Sequence, residues 1–280
     1  MNIQNALQLA TQLPQSSSAR LDVALLLSHC LDQNRTYLRT WPERELNPTQ
    51  EMHFLALLDR CKQGEPLAHV LGHKEFWSLQ LEINKSTLIP RPDTELLVQL
   101  ALELMPAKAP RLLDLGTGSG AIALALSQER PDANVMAVDF STEACQLAQR
   151  NAQRLGLQRV HVVHSHWFEA IDTRFDVILS NPPYIAASDP HLEQLRYEPH
   201  SALVAADNGL ADLRQIASQA PAYLRPLGWL LLEHGWQQGE SVRAMLASAN
   251  FIHIATHRDL GGNERVTLGQ APSHPHGAQQ

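Results

Sequence analysis

The sequence predicts an α/β protein, in which a mostly parallel sheet covered by helices on both faces follows a small helical bundle. Three observations predict this. From Asp93 onward, segments with helical and strand-like patterning alternate, which is the order that builds parallel sheets. The glycine-rich stretch "DLGTGSGA", Asp114 to Ala121, stands where a strand gives way to a helix. From Asn5 to about Gln63, apolar residues recur at helical spacing, as in "ARLDVALLLSHCL" and "EMHFLALLDRC", with breaks at Pro14, Pro42 and Pro48.

Taken in order, residues 1–73 form the helical domain. The stretch "GHKEFWSLQLEINKSTLIPRP" alternates apolar residues around an Asn-Lys-Ser turn and predicts a β-hairpin linker over 74–92, closed by Pro90 and Pro92. The α/β domain spans 93–270. Its predicted elements are a helix near 93–105, strand "RLLDL", helix 120–129, strand "NVMAVD", helix 142–155, and strands "VHVVHS" and "FDVILS". A helix near 209–223, strand "GWLLLEH" and helix 237–249 follow, and "FIHIATHRDL" and "ERVTLG" close the sheet as an antiparallel pair at its edge. The tail, 271–280, lacks apolar periodicity and is expected to be disordered.

A chain of 280 residues, 44% of them hydrophobic, holds a proper core. Its net charge of −7 and the lack of any Lys/Arg run argue against sequence-independent binding to nucleic acid, so no direct nucleic-acid partner is expected. Residues 1–90 hold 8 Lys/Arg against 9 Asp/Glu, so the helical domain supplies no basic surface either. Cys30, Cys61 and Cys145 are widely spaced and read as reduced, buried thiols. The N-terminus has no leader-like pattern and no segment approaches a membrane span, so a cytoplasmic protein without a membrane partner is expected.

Two motifs carry chemistry. The glycines of "DLGTGSGA" let the backbone turn tightly and approach a ligand closely. Asp139, ending the next strand, suits ribose hydroxyls of either a dinucleotide or S-adenosyl-L-methionine, and Asp114 leans toward the latter because an acidic group there can meet its amino end. The second motif is "SNPPYI", Ser180 to Ile185. Two prolines lack N–H groups and cannot continue a central strand, so the strand stops at Asn181. The Asn181 side-chain oxygen, the Pro182 carbonyl and the face of Tyr184 then form a socket for a planar NH2 group.

In this order, at the ends of successive parallel strands, the motifs resemble those of S-adenosylmethionine-dependent amino-methyltransferases. Within that class the chain resembles the release factor glutamine methyltransferases, the protein-(glutamine-N5) methyltransferase family. The resemblance rests on "GEPLAHVLG", "EFWSL", "LIPRPDTE", "DLGTGSGAIALAL", "SNPPYI", "ALVAADNGL", "LLLEHGWQQGE" and "RDLGGNERVTLG", and runs to near residue 270. It implies a Rossmann-like methyltransferase domain with a seven-stranded, mostly parallel sheet, preceded by a helical substrate-recognition domain. It also implies methylation of the glutamine in the Gly-Gly-Gln motif of peptide chain release factors.

Carried onto this chain, the resemblance gives Asp114, Gly116, Thr117, Gly118, Ser119, Gly120, Asp139, Trp167 and Asn181 to the cofactor. It gives Asn181, Pro182, Pro183 and Tyr184 to the substrate glutamine, with Asn181, Pro182 and Tyr184 as the catalytic set. His166 stands where the family pattern leads one to expect an Asp beside the adenine. His164 and His166 share a strand face, but with no third ligand evident no metal is expected. Arg91 and Glu95 suit the rim of the site, while Asp93 or Thr94 suits a helix N-cap. Glu264 and Arg265 are expected to pair with each other. The rival functions are a ribosomal-protein glutamine methyltransferase, a nucleic-acid amino-methyltransferase, a protein of this fold without turnover, and a nicotinamide oxidoreductase.

Overall fold

The structure, a computed structural model, describes residues 1–273. Of the tail expected to be disordered, residues 274–280 lie outside the described residues. Ala271, by contrast, is buried, and its N–H donates to the Gly228 carbonyl at 2.8 Å. The chain divides into two compact units, Met1–His73 and Lys74 onward.

The first unit is helical. Its longest helix, Pro48–Lys62, starts where the sequence offers both a cap and a proline. The Asn47 side chain accepts from the Gln50 N–H at 2.9 Å, and the Gln50 side chain accepts from the Asn47 N–H at 3.0 Å. Pro48 occupies the first helical position, where a missing N–H costs nothing. Helix Ala19–Leu31 turns Val23, Leu26 and Leu27 inward at helical spacing, onto Ile3, Phe54 and Leu58. Two short helices, Arg35–Thr40 and Leu67–Leu71, escape a reading based on periodicity, being under two turns long.

The predicted hairpin is present as β1 (His73–Phe76) and β2 (Leu79–Glu82). Its turn, however, is Trp77-Ser78, at φ 50° and 61°, and not Asn-Lys-Ser. A two-residue loop of this type I′ kind needs both residues left-handed, and its twist matches the right-handed twist of the strands. Asn84 instead makes a local turn after β2, its Oδ1 accepting from the Ser86 N–H at 2.9 Å.

The large sheet contains β3 (Arg111–Leu115), β4 (Asn134–Asp139), β5 (Val160–His164), β6 (Phe175–Ser180), β7 (Leu224–Glu233), β8 (Ile252–Arg258) and β9 (Glu264–Gln270). Their order is β5-β4-β3-β6-β7-β9-β8, parallel from β5 to β7 and antiparallel thereafter. β7 starts four residues before the predicted "GWLLLEH". The register slips there, Phe175 facing Leu224 and Val177 facing Trp229, and the irregularity absorbs Pro226 in an otherwise paired strand. The core is the near-continuous apolar run of these strands under helices on both faces. Among the described residues, no helix is long and apolar enough to cross a membrane.

Glu264 and Arg265 do not pair with each other. Successive strand residues face opposite sides of a sheet. Glu264 accordingly meets Arg243 at 3.2 Å, and Arg265 meets Asp259 at 3.2 Å and Asp93 at 3.5 Å.

The topology sets the site. The chain runs outward from β3 to β4 and β5, then returns to β6 on the other side of β3. That reversal opens a crevice beyond the carboxyl ends of β3 and β6. Leu115 faces Ser180 in register, and the Ser180 hydroxyl donates to the Leu115 carbonyl at 2.8 Å. Gly116 and Asn181, the next residues on each strand, therefore leave the sheet side by side.

Candidate active site

A cavity of about 350 Å³ fills that crevice. Of the residues expected at the site, Gly116, Thr117, Gly118, Ser119, Asp139, Trp167, Asn181 and Pro183 line it, as does His166. Asp114, Gly120, Pro182 and Tyr184 do not.

The glycine loop forms the floor. Gly116, Gly118 and Gly120 take φ of 73°, 57° and 86°, a left-handed succession that side chains resist. The Gly116 and Thr117 N–H groups both donate to the Val138 carbonyl at 2.9 Å, and Gly118 N–H donates to the Asp139 carboxylate at 2.9 Å. The second Asp139 oxygen accepts from Ser141 N–H at 2.9 Å. Each of these oxygens keeps a lone pair for a ligand hydroxyl. From behind, Asn151 ties the loop to the hairpin: its side chain accepts from Glu82 N–H at 2.7 Å and donates to the Glu82 and Ser119 carbonyls at 3.1 and 2.9 Å.

Asp114 lies beneath the loop, fully buried. One of its oxygens accepts from the Thr117 hydroxyl at 2.7 Å and the Ala123 N–H at 3.3 Å, and the other has no partner. Desolvation pushes its pKa up to about 7, against the pull of Thr117 and Ala123. The folded value thus exceeds the unfolded 3.8. Its contribution to stability is full below the unfolded value and shrinks as pH rises toward the folded one. Asp114→Asn keeps an acceptor for Thr117 and removes the charge. Thermal melts without ligand are expected to show a gain over wild type at pH 8 that exceeds the gain at pH 5 by roughly 2 kcal/mol. A gain independent of pH would contradict a buried charge.

"SNPPYI" forms the opposite wall. The Asn181 Nδ2 donates to the Thr94 hydroxyl oxygen at 3.2 Å, which directs the Asn181 Oδ1 away from Thr94. Thr94 itself heads helix Glu95–Leu104 but makes no side-chain cap, nor does Asp93. Pro183 lines the cavity, whereas Tyr184 turns into the core with its hydroxyl 3.4 Å from Glu233. Burial and the Glu233 charge hold the Tyr184 phenol well above its usual range, so it stays a neutral donor. The turn is then locked. Gln238 Nε2 donates to the Tyr184 carbonyl at 3.0 Å, and Gly209 abuts the same carbonyl so closely that a Cβ there would sit 2.1 Å from it. Ile185 N–H donates to the Leu203 carbonyl at 2.9 Å, and Ala205 N–H donates to the Ile185 carbonyl at 3.1 Å.

Trp167 closes one end of the cavity, buried and at φ 48°, with its ring over Gly116, where a Cβ would lie 3.4 Å away. Phe140, 48% exposed, presents an apolar face nearby. His166 lies past the end of β5, its Nδ1 3.4 Å from Glu169, so it does not share a strand face with His164, whose Nε2 meets the Phe140 carbonyl at 2.7 Å. Asp212, also in the lining, is raised by burial and held back by His166.

At the other end, Arg91 pairs with the buried Glu198, which also accepts from Ile89 N–H at 2.8 Å. Glu95 is used elsewhere, accepting from the Trp77 N–H at 3.0 Å. Residues that sequence reasoning missed are Thr87, Phe140, Ser201, Asp212, Glu198 and Glu233. For the first four no local motif exists, and the two glutamates act across long sequence separations.

The cavity joins a backbone cradle, a strand-end carboxylate and two aromatic faces. These suit the methionine portion, ribose and base of an adenosine cofactor, so the residues present fit S-adenosylmethionine. The comparisons agree. A family model described as methyltransferase small domain matches residues 92–196, and one described as PrmC N-terminal domain matches residues 5–72. The release factor glutamine methyltransferase of Pseudomonas aeruginosa is 56% identical over 263 residues, covering 93% of this chain and 95% of the relative. The chain belongs to the release factor glutamine methyltransferase family.

The Escherichia coli member of the family is 51% identical, with the same 93% and 95% coverage. Among solved structures, the hMettl16 catalytic domain aligns with a TM-score of 0.59 at 16% identity, covering 78% of this chain and 84% of that one. A methyltransferase from Pyrococcus furiosus aligns with 0.54 at 17% identity, covering 77% and 98%. At that identity they show the methyltransferase fold alone. The matches to the family extend across both units, the helical one included.

Proposed function

We propose that the chain methylates the side-chain amide nitrogen, N5, of the glutamine in the Gly-Gly-Gln motif of peptide chain release factors. The observation that carries this reading is the Asn181 amide, held by Thr94 at the edge of a cofactor-sized cavity with its oxygen free to accept an N–H. S-adenosyl-L-methionine bound in that cavity supplies an electrophilic methyl group. Gly116 to Ser119 support it from the backbone, Asp139 takes the ribose hydroxyls, and Trp167 with Phe140 borders the adenine. Asp114 and Gly120 act from behind, by shaping the loop.

A glutamine amide nitrogen is a weak nucleophile because its lone pair is delocalised into the carbonyl. Asn181 Oδ1 and the Pro182 carbonyl, each accepting one N–H, orient the nitrogen and favour its pyramidal form. The bonds strengthen as positive charge grows on nitrogen, so they act on the transition state more than on the ground state. Pro183 walls the site, and Tyr184 anchors the turn from the core. The proton on the methylated nitrogen leaves to water.

Residues 1–73 are assigned to substrate recognition, 74–92 to a linker and 93–270 to catalysis. The protein works in the cytoplasm on a protein partner. The charge balance of residues 1–90 supports a reading without a nucleic-acid partner. The test is peptide mass spectrometry on a release factor incubated with S-adenosylmethionine and the protein. A single methyl group on the Gly-Gly-Gln glutamine is expected. An unmodified glutamine would turn attention to ribosomal proteins and nucleic acids.

A further inference from the structure

We infer that Arg91, at the end of the cavity away from Trp167, binds the carboxylate at the methionine end of the cofactor. This rests on the placement of the adenine at Trp167 and of the ribose at Asp139. Trp167 lies over Gly116, with the His166 ring beside it at a centroid distance of 5.9 Å, so both belong to the adenine end. A cofactor laid from there past Asp139, with its methyl group near Asn181, carries its amino-acid end on toward the wall built by Leu88, Pro90 and Arg91.

The charges of the lining decide what can meet that end. A carboxylate taken out of water needs a cation or several N–H donors. Asp139 and Asp212 are acids and repel it, and His166 stands at the other end. Among the described residues of the lining, Arg91 is the one arginine, and no lysine joins it. A guanidinium keeps its charge at every working pH and presents a planar fork that matches a carboxylate.

Arg91 is fixed in place. Pro92 follows it and restricts its backbone, which is extended at φ −100° and ψ 145°. The Arg91 carbonyl accepts from Thr94 N–H at 3.1 Å, and the Thr94 hydroxyl holds Asn181 at 3.2 Å, so Arg91 stands beside the reacting end. Its guanidinium donates through Nη2 to Glu198, whose side chain is 2% exposed. The other Glu198 oxygen accepts from Ile89 N–H at 2.8 Å, so the carboxylate grips the chain at two nearby points. Swinging Arg91 out to solvent would leave that buried charge without its partner, which is costly. Glu198 occupies only Nη2, and the rest of the fork has no partner among the described residues. At 38% exposure the side chain is open to a ligand.

The test is calorimetry with S-adenosylhomocysteine and 5′-methylthioadenosine, which share adenine, ribose and sulfur and differ in the amino-acid end. Neither needs a protein substrate, so the outcome stands whether or not a release factor is methylated. For Arg91→Met in the full chain, affinity for S-adenosylhomocysteine is expected to fall about 10- to 100-fold, as for one charge-assisted contact, with affinity for methylthioadenosine unchanged. Met strands the buried Glu198 charge, so Arg91→Met/Glu198→Gln is measured alongside and is expected to bind S-adenosylhomocysteine as weakly. Wild-type affinity for S-adenosylhomocysteine in the Met variant overturns the proposal. An equal loss for both ligands also overturns it, because Arg91 would then support the cavity as a whole. Recovered binding in the double variant does the same, by tracing the loss to Glu198.

Discussion

Asn181→Ala is expected to lower kcat for glutamine methylation by about 10²- to 10³-fold, on the order of 3–4 kcal/mol of barrier. The variant should fold, because the lost bond to Thr94 is one partly buried side-chain contact at a turn already held by Gln238, Leu203 and Ala205. The split between parameters is the informative part. If Asn181 accepts from the nitrogen only as positive charge develops, kcat falls while KM for the peptide barely moves. A loss confined to KM would make Asn181 a binder of the ground state and contradict the orientation mechanism. Steady-state kinetics on the peptide, with a thermal melt as control, distinguish the two.

Gly209→Ala should be the most damaging small substitution in the catalytic unit. A Cβ there would lie 2.1 Å from the Tyr184 carbonyl oxygen and 2.7 Å from its carbon, both backbone atoms of the turn that carries the proposed chemistry. Left-handed φ of 86° adds a conformational penalty of about 1 kcal/mol. With the clash included, roughly 2–4 kcal/mol of stability is expected to be lost. Gly262→Ala supplies the control, because its φ is 83° yet nothing lies within 4 Å of the added carbon. The Gly209 variant should melt well below the Gly262 variant and lose turnover, since relief of the clash displaces Tyr184 and with it Asn181. Equal melting of the two would mean that the turn yields freely.

Where the sequence was legible, the physics was local. Strands "RLLDL", "NVMAVD" and "FDVILS" stand where the sequence predicts them, because strands covered on both faces are mostly apolar and need no alternation. The proline pair ends β6 on steric grounds alone, and the glycines mark the loop for the same kind of reason. The hairpin was visible but its turn was not, since Trp77 and Ser78 carry none of the usual signals of left-handed backbone. Thr94 read equally well as a helix cap, and only the fold shows it facing Asn181 instead. Glu233 looked like the end of a strand. Nothing in a linear reading could bring it to Tyr184, 49 residues away, or bring Glu198 to Arg91 across 107.

The bridge between Ile185 and Val204 has a consequence for how such a protein can diversify. It pinches the chain at two points, so residues 186–203 form an excursion whose neck is fastened beside the proline turn. Closing such an excursion depends only weakly on its length, a doubling costing about 0.6 kcal/mol. Residues can therefore be added, removed or rewritten in the outer part of the excursion, 186–197, with little effect on where Asn181 stands, whereas Glu198, Ser201 and Leu203 on its inner side hold the site. Evolution can tailor the outer contour to a changing partner while the inner chemistry stays as it is.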